Sequence, residues 1–431
     1  MSRSSFNLII KNQIPSFNKT IQIDSDKSIS IRSFLLGAIS QNISTARNVL
    51  ESEDVLSTIR CLKKLGVKII RFGKKNYKIF GKGLGSLFIK KNSTLNFGNS
   101  GTLARLLIGI LSTTPNIEVK LKGDHSLNKR SMRKVINLMS KFGATFLPEN
   151  RFNFPFKLRS SEIPIGLKYE AGVSAQLKSA VILAGLNSYG NTEIIDQAGS
   201  RDHTENMIIN NKKVIKVKKE KYKKKIVLSG KKFLNSFDIT VPGDPSSAAF
   251  FVALTVLNKN STIKIKSVGL NPTRIGFYNL LKKSGAKIKF INLKKNNNEI
   301  YGDIIVKSSK LKKINASKDF YVNSTDEYPV LFIIASLTKG LSVFKGIKDL
   351  ANKESNRISE MQKVLKQIGI KSKATKDELK IFGKGSINTK NKKIFVPNLG
   401  DHRICMSTFV LAALTGVETK IKNFETVFTS S

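Results

Sequence analysis

Six times along this chain a helix opens on polar or small residues, runs into an apolar stretch, and gives way to a short β-rich segment. Counted from Lys27, Ser100, Ser174, Pro245, Asp326 and His402, the copies are 73, 74, 71, 81 and 76 residues apart. A long period kept over the whole chain marks one structural unit that was multiplied. The first helix of each copy is read at 32–40, 105–112, 176–186, 248–257, 329–337 and 403–414, and the strand after it at 43–49, 116–121, 191–195, 261–268, 341–346 and 417–423. These helices are apolar nearly all round, as in the run 250–257, and such a helix belongs inside rather than on a surface. A second helix follows in most copies and ends at Gly66, Gly143, Gly285 or Gly369, the signature of a left-handed C-cap. The third copy lacks that glycine, and the sixth has no second helix before the chain ends. Helices alternating with strands in a repeating unit predict α/β layers, with helices inside and strands around them. The division into three units plus three falls near 235–241.

The helix starts are also the chemical signal. Unpaired N–H groups and the helix dipole both favour negative charge at an N-terminus. Several such ends converging on one cleft would suit a substrate carrying phosphates and carboxylates.

Lys and Arg outnumber Asp and Glu by 75 to 30, a formal charge of 75 − 30 = +45. One reading is a nucleic-acid footprint. The other, preferred here, is a lysine-rich composition, because lysines occur in nearly every segment and no nucleic-acid motif is present. The densest run, 210–232, holds eleven lysines interleaved with Val and Ile; it reads as a solvated hairpin turning near Glu220, a charged exposed edge. Cys61 and Cys405 lie in apolar helix patterns and read as reduced thiols. With no signal-peptide core and no bilayer-length apolar run, the expectation is a soluble cytoplasmic protein without membrane partner. His125, His203 and His402 show no metal-ligand spacing.

Read in order, the motifs resemble one family. DKSISIR (26–32), NFGNSGTLARLL (96–107), GDHSLNKRSM (123–132), SAQLKSAVILAGL (174–186), SRDHTENM (200–207), VPGDPSSAAFF (241–251), GLNPTRIGF (269–277), TDE (325–327), NKESNR (352–357) and GDHR (400–403) are similar to the motifs of the EPSP synthases, enolpyruvyl transferases of the shikimate pathway. Each motif alone is weak evidence; the whole series at the repeat spacing is strong. The resemblance implies two inverse α/β domains, inside-out barrels of three βαβαββ repeats each with buried helices. It places 25–240 in one domain and 1–24 with 241–431 in the other, the sixth repeat being truncated.

It also implies a reaction: transfer of the enolpyruvyl group of phosphoenolpyruvate to the 5-hydroxyl of shikimate 3-phosphate, with release of phosphate, on the way to chorismate and the aromatic amino acids. No metal or redox cofactor is expected, and the enzyme is expected to work as a monomer with no specific nucleic acid. By motif match, shikimate 3-phosphate falls to Lys27, Ser28, Arg32, Ser174, Ala175, Gln176, Arg201, Asp326 and Lys353, and phosphoenolpyruvate to Lys27, Gly101, Arg130, Gln176, Arg357 and Arg403. Arginine suits the second ligand because its planar fork pairs bidentately with carboxylate and phosphate. Asp326 would accept the hydroxyl proton, Glu354 would exchange a proton with the methylene carbon, and Lys27 would sit between the substrates.

Plainer readings stand beside these. Asp326 before an apolar run is also a natural N-cap, and both roles can coexist. Arg105 reads as a loop support, Arg274 as an interdomain or turn residue, Lys178 as a solvated or supporting charge, and Glu354 alone as a surface carboxylate. The chain departs from the family pattern at Ala351, Asn356 and Ser131, and a family lysine near the end has no counterpart, Thr426 standing near its place. Asn356 is expected to orient Arg357 by hydrogen bond, without charge. Two rivals remain: the same fold acting on UDP-N-acetylglucosamine, disfavoured because Ser28 follows Lys27 and neither cysteine lies in a catalytic loop, and a basic nucleic-acid-binding relative that has lost catalysis.

Overall fold

The computed structural model of the protein describes residues 5–221 and 223–429. The chain forms two compact units. Unit 2 spans Ser25–Pro242 with Lys295–Glu299, and unit 1 takes residues 5–24, Gly243–Lys294 and 300–429.

Unit 2 holds the first three copies of the repeat. The first contains α1 (Lys27–Ile39) and α2 (Glu53–Lys64); the second contains α3 (Gly101–Thr113), the single turn α4 (His125–Asn128) and α5 (Arg133–Ser140); the third contains α6 (Ala175–Leu186) and α7 (His203–Ile208). Unit 1 holds the rest: α8 (Pro245–Leu257) and α9 (Gly276–Lys283), α10 (Tyr328–Ser336) and α11 (Arg357–Gln367), then α12 (His402–Thr415).

The leading helices α1, α3 and α6 pack against one another inside unit 2, and α8, α10 and α12 do so inside unit 1. Their side chains are buried on nearly every face, as their all-round apolar sequences require. Each unit has its own continuous hydrophobic core. The helices start earlier than the apolar pattern alone indicates, most of all α1 and α3, which open at Lys27 and Gly101 rather than at 32 and 105, because the first turn is polar and capped. Asp26 accepts from the Ile29 amide at 2.8 Å, Ser100 from Leu103 at 3.2 Å, Asp244 from Ser246 at 2.8 Å and Asp401 from Arg403 at 2.9 Å.

These caps correct one expectation. The ends of α1, α8 and α12 are not simply open to an incoming anion, since an aspartate of the chain already answers their amides. The second helices do stop at glycine: Gly66, Gly143, Gly285 and Gly369 have φ of 83°, 92°, 101° and 75°, where a Cβ would be strained.

Six sheets surround the helices, three per unit, and among the described residues none closes into a barrel. Five share one pattern: a parallel edge strand followed by three antiparallel strands. In the first repeat Asp238–Thr240 runs parallel to Ile43–Arg47, which pairs with Asn76–Phe80 and then Lys68–Gly73. The sixth sheet has three strands, with Leu8–Ile10 pairing antiparallel to Glu418–Ile421. The lysine-rich segment is the expected hairpin: Ile215–Lys219 pairs antiparallel with Lys224–Ser229, and the Glu220 amide donates to the Lys223 carbonyl at 2.8 Å. Among the described residues no helix is long and apolar enough to cross a membrane.

Candidate functional site

In unit 2 most predicted site residues lie near the N-terminal ends of α1, α3 and α6, while Arg130 lies just past α4 and Arg201 just before α7. Lys27 opens α1, and its ammonium sits 3.1 Å from Asp54 in the first turn of α2. One turn on, Arg32 is buried and points across the unit. Its Nε donates to Thr204 Oγ1 at 2.8 Å, Nη2 to Ser179 Oγ at 3.1 Å, and Nη1 to the Ser28 carbonyl at 3.1 Å. The Thr204 and Ser179 hydroxyls are 2.8 Å apart. Three helices, α1, α6 and α7, are thus tied to one guanidinium.

Beside it Lys178 is fully buried, 2.7 Å from both Asp196 and Glu205 and 3.0 Å from the Ser200 carbonyl. Burial opposes its charge, but Glu205 and Asp196 outweigh burial and hold it above the usual lysine value. Asp196 also accepts from the Gly199 amide at 2.9 Å, fixing the loop that leads to Arg201. Lys224 reaches Asp202 at 2.8 Å. His203 Nδ1 lies 2.9 Å from Glu299, which also accepts from Asn206 at 3.1 Å.

A second cluster joins α3 to α6. Arg105 Nη1 donates to the Gly101 carbonyl at 3.1 Å and to Gln176 Oε1 at 3.0 Å, while Gln176 Nε2 donates to Thr102 at 2.9 Å. Both ends of the Gln176 amide are therefore set. Arg130 is held by Asn99 at 2.5 Å and Ser126 at 3.2 Å. Gly101 leaves room for both arginines: a Cβ there would lie 2.8 Å from Arg105 Nη1 and 3.5 Å from Arg130 Nη1. Ser174 caps α6 through the Leu177 amide at 3.4 Å, and Ala175 begins the helix. A cavity of about 520 Å³ at the opposite, C-terminal ends of α1 and α6, lined by Lys82, Lys231 and Asn187 among others, holds none of the predicted site residues.

In unit 1 the arrangement turns on Arg357. The guanidinium is 1% exposed and meets three carboxylates: Asp401 at 3.0 and 3.3 Å, Glu354 at 2.7 Å and Asp326 at 3.8 Å. Burial disfavours its charge, but Asp401 and Glu354 more than compensate and raise its pKa, so it is a fixed cation. Asp401 is itself fully buried, caps α12, and accepts from Ser355 at 2.9 Å. Glu354 and Asp326 keep side-chain exposures of 23% and 25%, enough for a proton to reach them. Lys353 is half-buried beside Glu354. Arg403 is buried, with its guanidinium carbon 5.7 Å from the Phe250 ring centre.

A family model for EPSP synthase (3-phosphoshikimate 1-carboxyvinyltransferase) matches residues 11–430. The chain belongs to the EPSP synthase family. It is 36% identical over 422 residues to a 3-phosphoshikimate 1-carboxyvinyltransferase of Bacillus subtilis, covering 97% of this chain and 96% of that one. It is 39% identical over 401 residues to one of Ruthia magnifica, covering 93% and 89%. Among solved structures, an EPSP synthase from Acinetobacter baumannii superposes with a TM-score of 0.83 at 33% identity, covering 99% and 96%. The enolpyruvyl transferase NikO of Streptomyces tendae, at 11% identity and a TM-score of 0.75 over 99% and 95%, shares the fold.

Set against the EPSP synthase motifs, several sequence readings change. Asp326 is not the cap of α10: Glu327 occupies that position, and its carboxylate accepts from Ser246 instead. Asn356 caps α11 through the Ser359 amide at 3.2 Å, and Asp401 and Glu354 are what orient Arg357. Arg274 is the turn residue expected, its amide donating to the Asn271 carbonyl at 2.8 Å, and its guanidinium is a buried partner of Asp244 at 3.1 Å and Ser246 at 2.9 Å. Lys178 is a support and is not solvated. Arg105 is the expected loop support and also fixes Gln176. Asp401, Asp54, Thr204 and Ser179 were not singled out from the sequence; Asp401, Thr204 and Ser179 lie within the motifs GDHR, SRDHTENM and SAQLKSAVILAGL, whereas Asp54 lies in none.

Proposed function

We propose that the chain transfers the enolpyruvyl group of phosphoenolpyruvate to the 5-hydroxyl of shikimate 3-phosphate and releases phosphate. The observation that carries this is the grip of one buried guanidinium, Arg357, on two part-exposed carboxylates, Glu354 and Asp326. Enolpyruvyl transfer needs two proton-handling groups: one for the hydroxyl, one for the methylene carbon. Asp326 takes the 5-hydroxyl proton as the oxygen adds to C2, while Glu354 delivers a proton to C3. Glu354 then removes a proton from the new methyl group as the C2–phosphate bond breaks, restoring the double bond.

Shikimate 3-phosphate is held by Lys27, Ser28, Arg32, Ser174, Ala175, Gln176, Arg201, Asp326 and Lys353. Phosphoenolpyruvate is held by Lys27, Gly101, Arg130, Gln176, Arg357 and Arg403. The tethering of Arg32 by Thr204 and Ser179, and of Gln176 by Arg105 and Thr102, supports these assignments, because side chains fixed before binding lose little entropy on binding. The two buried, unpaired thiols of Cys61 and Cys405 support work in the reducing cytoplasm, and the same reading has a single chain as the working unit.

The test is phosphate release by the purified protein given both substrates. Release only when UDP-N-acetylglucosamine replaces shikimate 3-phosphate, or no release at all, would overturn the reading.

A further inference from the structure

Unit 1 buries a second charged network that the proposed reaction does not use. Arg274 Nη2 donates to Asp244 Oδ1 at 3.1 Å and to Ser246 Oγ at 2.9 Å. Asp244 Oδ1 also accepts from the Ser246 amide at 2.8 Å, and the Ser246 hydroxyl donates to Glu327 Oε1. Asp244, Arg274 and Glu327 are all buried. The first turns of α8 and α10 are thereby braced through one serine hydroxyl. Nearby, burial, with Glu327 and Asp244 adding, pushes the Tyr278 phenol well up; it stays neutral and donates to the Pro245 carbonyl.

The brace ends on the residue after Asp326. Residues 324–327 are also fixed from two other sides. Gly276 at the start of α9 lies so close that a Cβ would meet Ser324 Oγ at 2.5 Å and Asn323 Cβ at 2.9 Å. Thr325 Oγ1 donates to the Tyr321 carbonyl at 2.9 Å, and the Glu327 amide to the Ser324 carbonyl at 3.2 Å. Within this clamped turn Glu327 points inward while Asp326, next to it, is the carboxylate left part-exposed. A buried charged network is costly to assemble, and a small displacement of a reacting group lowers rate steeply.

We propose that Glu327, through Ser246 and Arg274, is a positioning residue that aims the Asp326 carboxylate at the proton it takes. The inference rests on the reading of Asp326 as the base. Ser246→Ala cuts the brace at its centre and touches no proposed substrate contact. It should lower kcat about 10²-fold, as expected for a base displaced by about 1 Å, with the two KM values changed far less. Glu327→Gln keeps an oxygen to accept from Ser246 and should restore most of kcat relative to Glu327→Ala. In an Asp326→Asn background, Ser246→Ala should cost no further activity.

Near-normal kcat for Ser246→Ala, or equal losses with and without Asp326, would overturn the proposal, since a purely structural role acts in both backgrounds. Should Ser246→Ala fail to fold, Glu327→Asp, which withdraws the carboxylate by one methylene, carries the same expectation and the same refutation. Wild-type activity in Asp326→Asn itself would instead sink the reading of Asp326 on which this rests.

Discussion

Lys178→Met removes one ammonium from between two buried carboxylates. Methionine nearly conserves the volume, so the change is chiefly one of charge. Lys178 is fully buried at 2.7 Å from Asp196 and Glu205, themselves 1% and 3% exposed. Water cannot replace the lost partner, and the two acids then face each other. Breaking a buried pair on one side costs about 3–5 kcal/mol, a large part of the ~5–15 kcal/mol that holds a domain folded.

Urea unfolding followed by far-ultraviolet circular dichroism reads the loss. Its pH dependence separates charge from packing. Lys178 is held above its unfolded value of 10.5, so its contribution is complete below that pH and fades as pH rises through the folded value. The gap between wild type and variant should therefore narrow above pH 10.5. Because Asp196 and Glu205 anchor the segment carrying Arg201 and Thr204, KM for shikimate 3-phosphate should rise more than KM for phosphoenolpyruvate. A loss no larger than the ~1 kcal/mol of an exposed ion pair, or a gap that ignores pH, would refute the reasoning.

Asp326→Asn and Glu354→Gln should each lower the rate of phosphate release by about 10²–10⁴-fold with an unchanged circular dichroism spectrum; near-normal rates would reduce both to structural carboxylates. Gly101→Ala should drive Arg105 off the atom it would strike at 2.8 Å and so loosen Gln176. Inhibition by glyphosate, a cation with two anionic ends, should weaken more than phosphoenolpyruvate binding, as steady-state inhibition of both proteins would read. Burial pushes the Cys61 and Cys405 thiols from 9.0 up to about 12. A thiol reagent at pH 8 should therefore label neither until the chain is unfolded, and prompt labelling of the native protein would contradict that burial.

By itself the sequence determined the repeat, the six buried helices and the glycine stops, because these are local and periodic. An all-round apolar helix has only one place to go, and a glycine past the last apolar position needs no tertiary partner to end a helix. The motif order carried the family, and the residue types at the helix starts carried the candidate site.

Only the tertiary structure decided what holds those residues. Thr204 is 172 positions from Arg32, Asp401 is 44 from Arg357, and Ser246 is 81 from Glu327; no local pattern reports such pairings. The same distance hid the roles of Arg274 and Lys178. A charged residue in an apolar helix reads alike whether its tip meets solvent or a buried carboxylate, and the difference lies in desolvation, which exists only once the chain has closed around it.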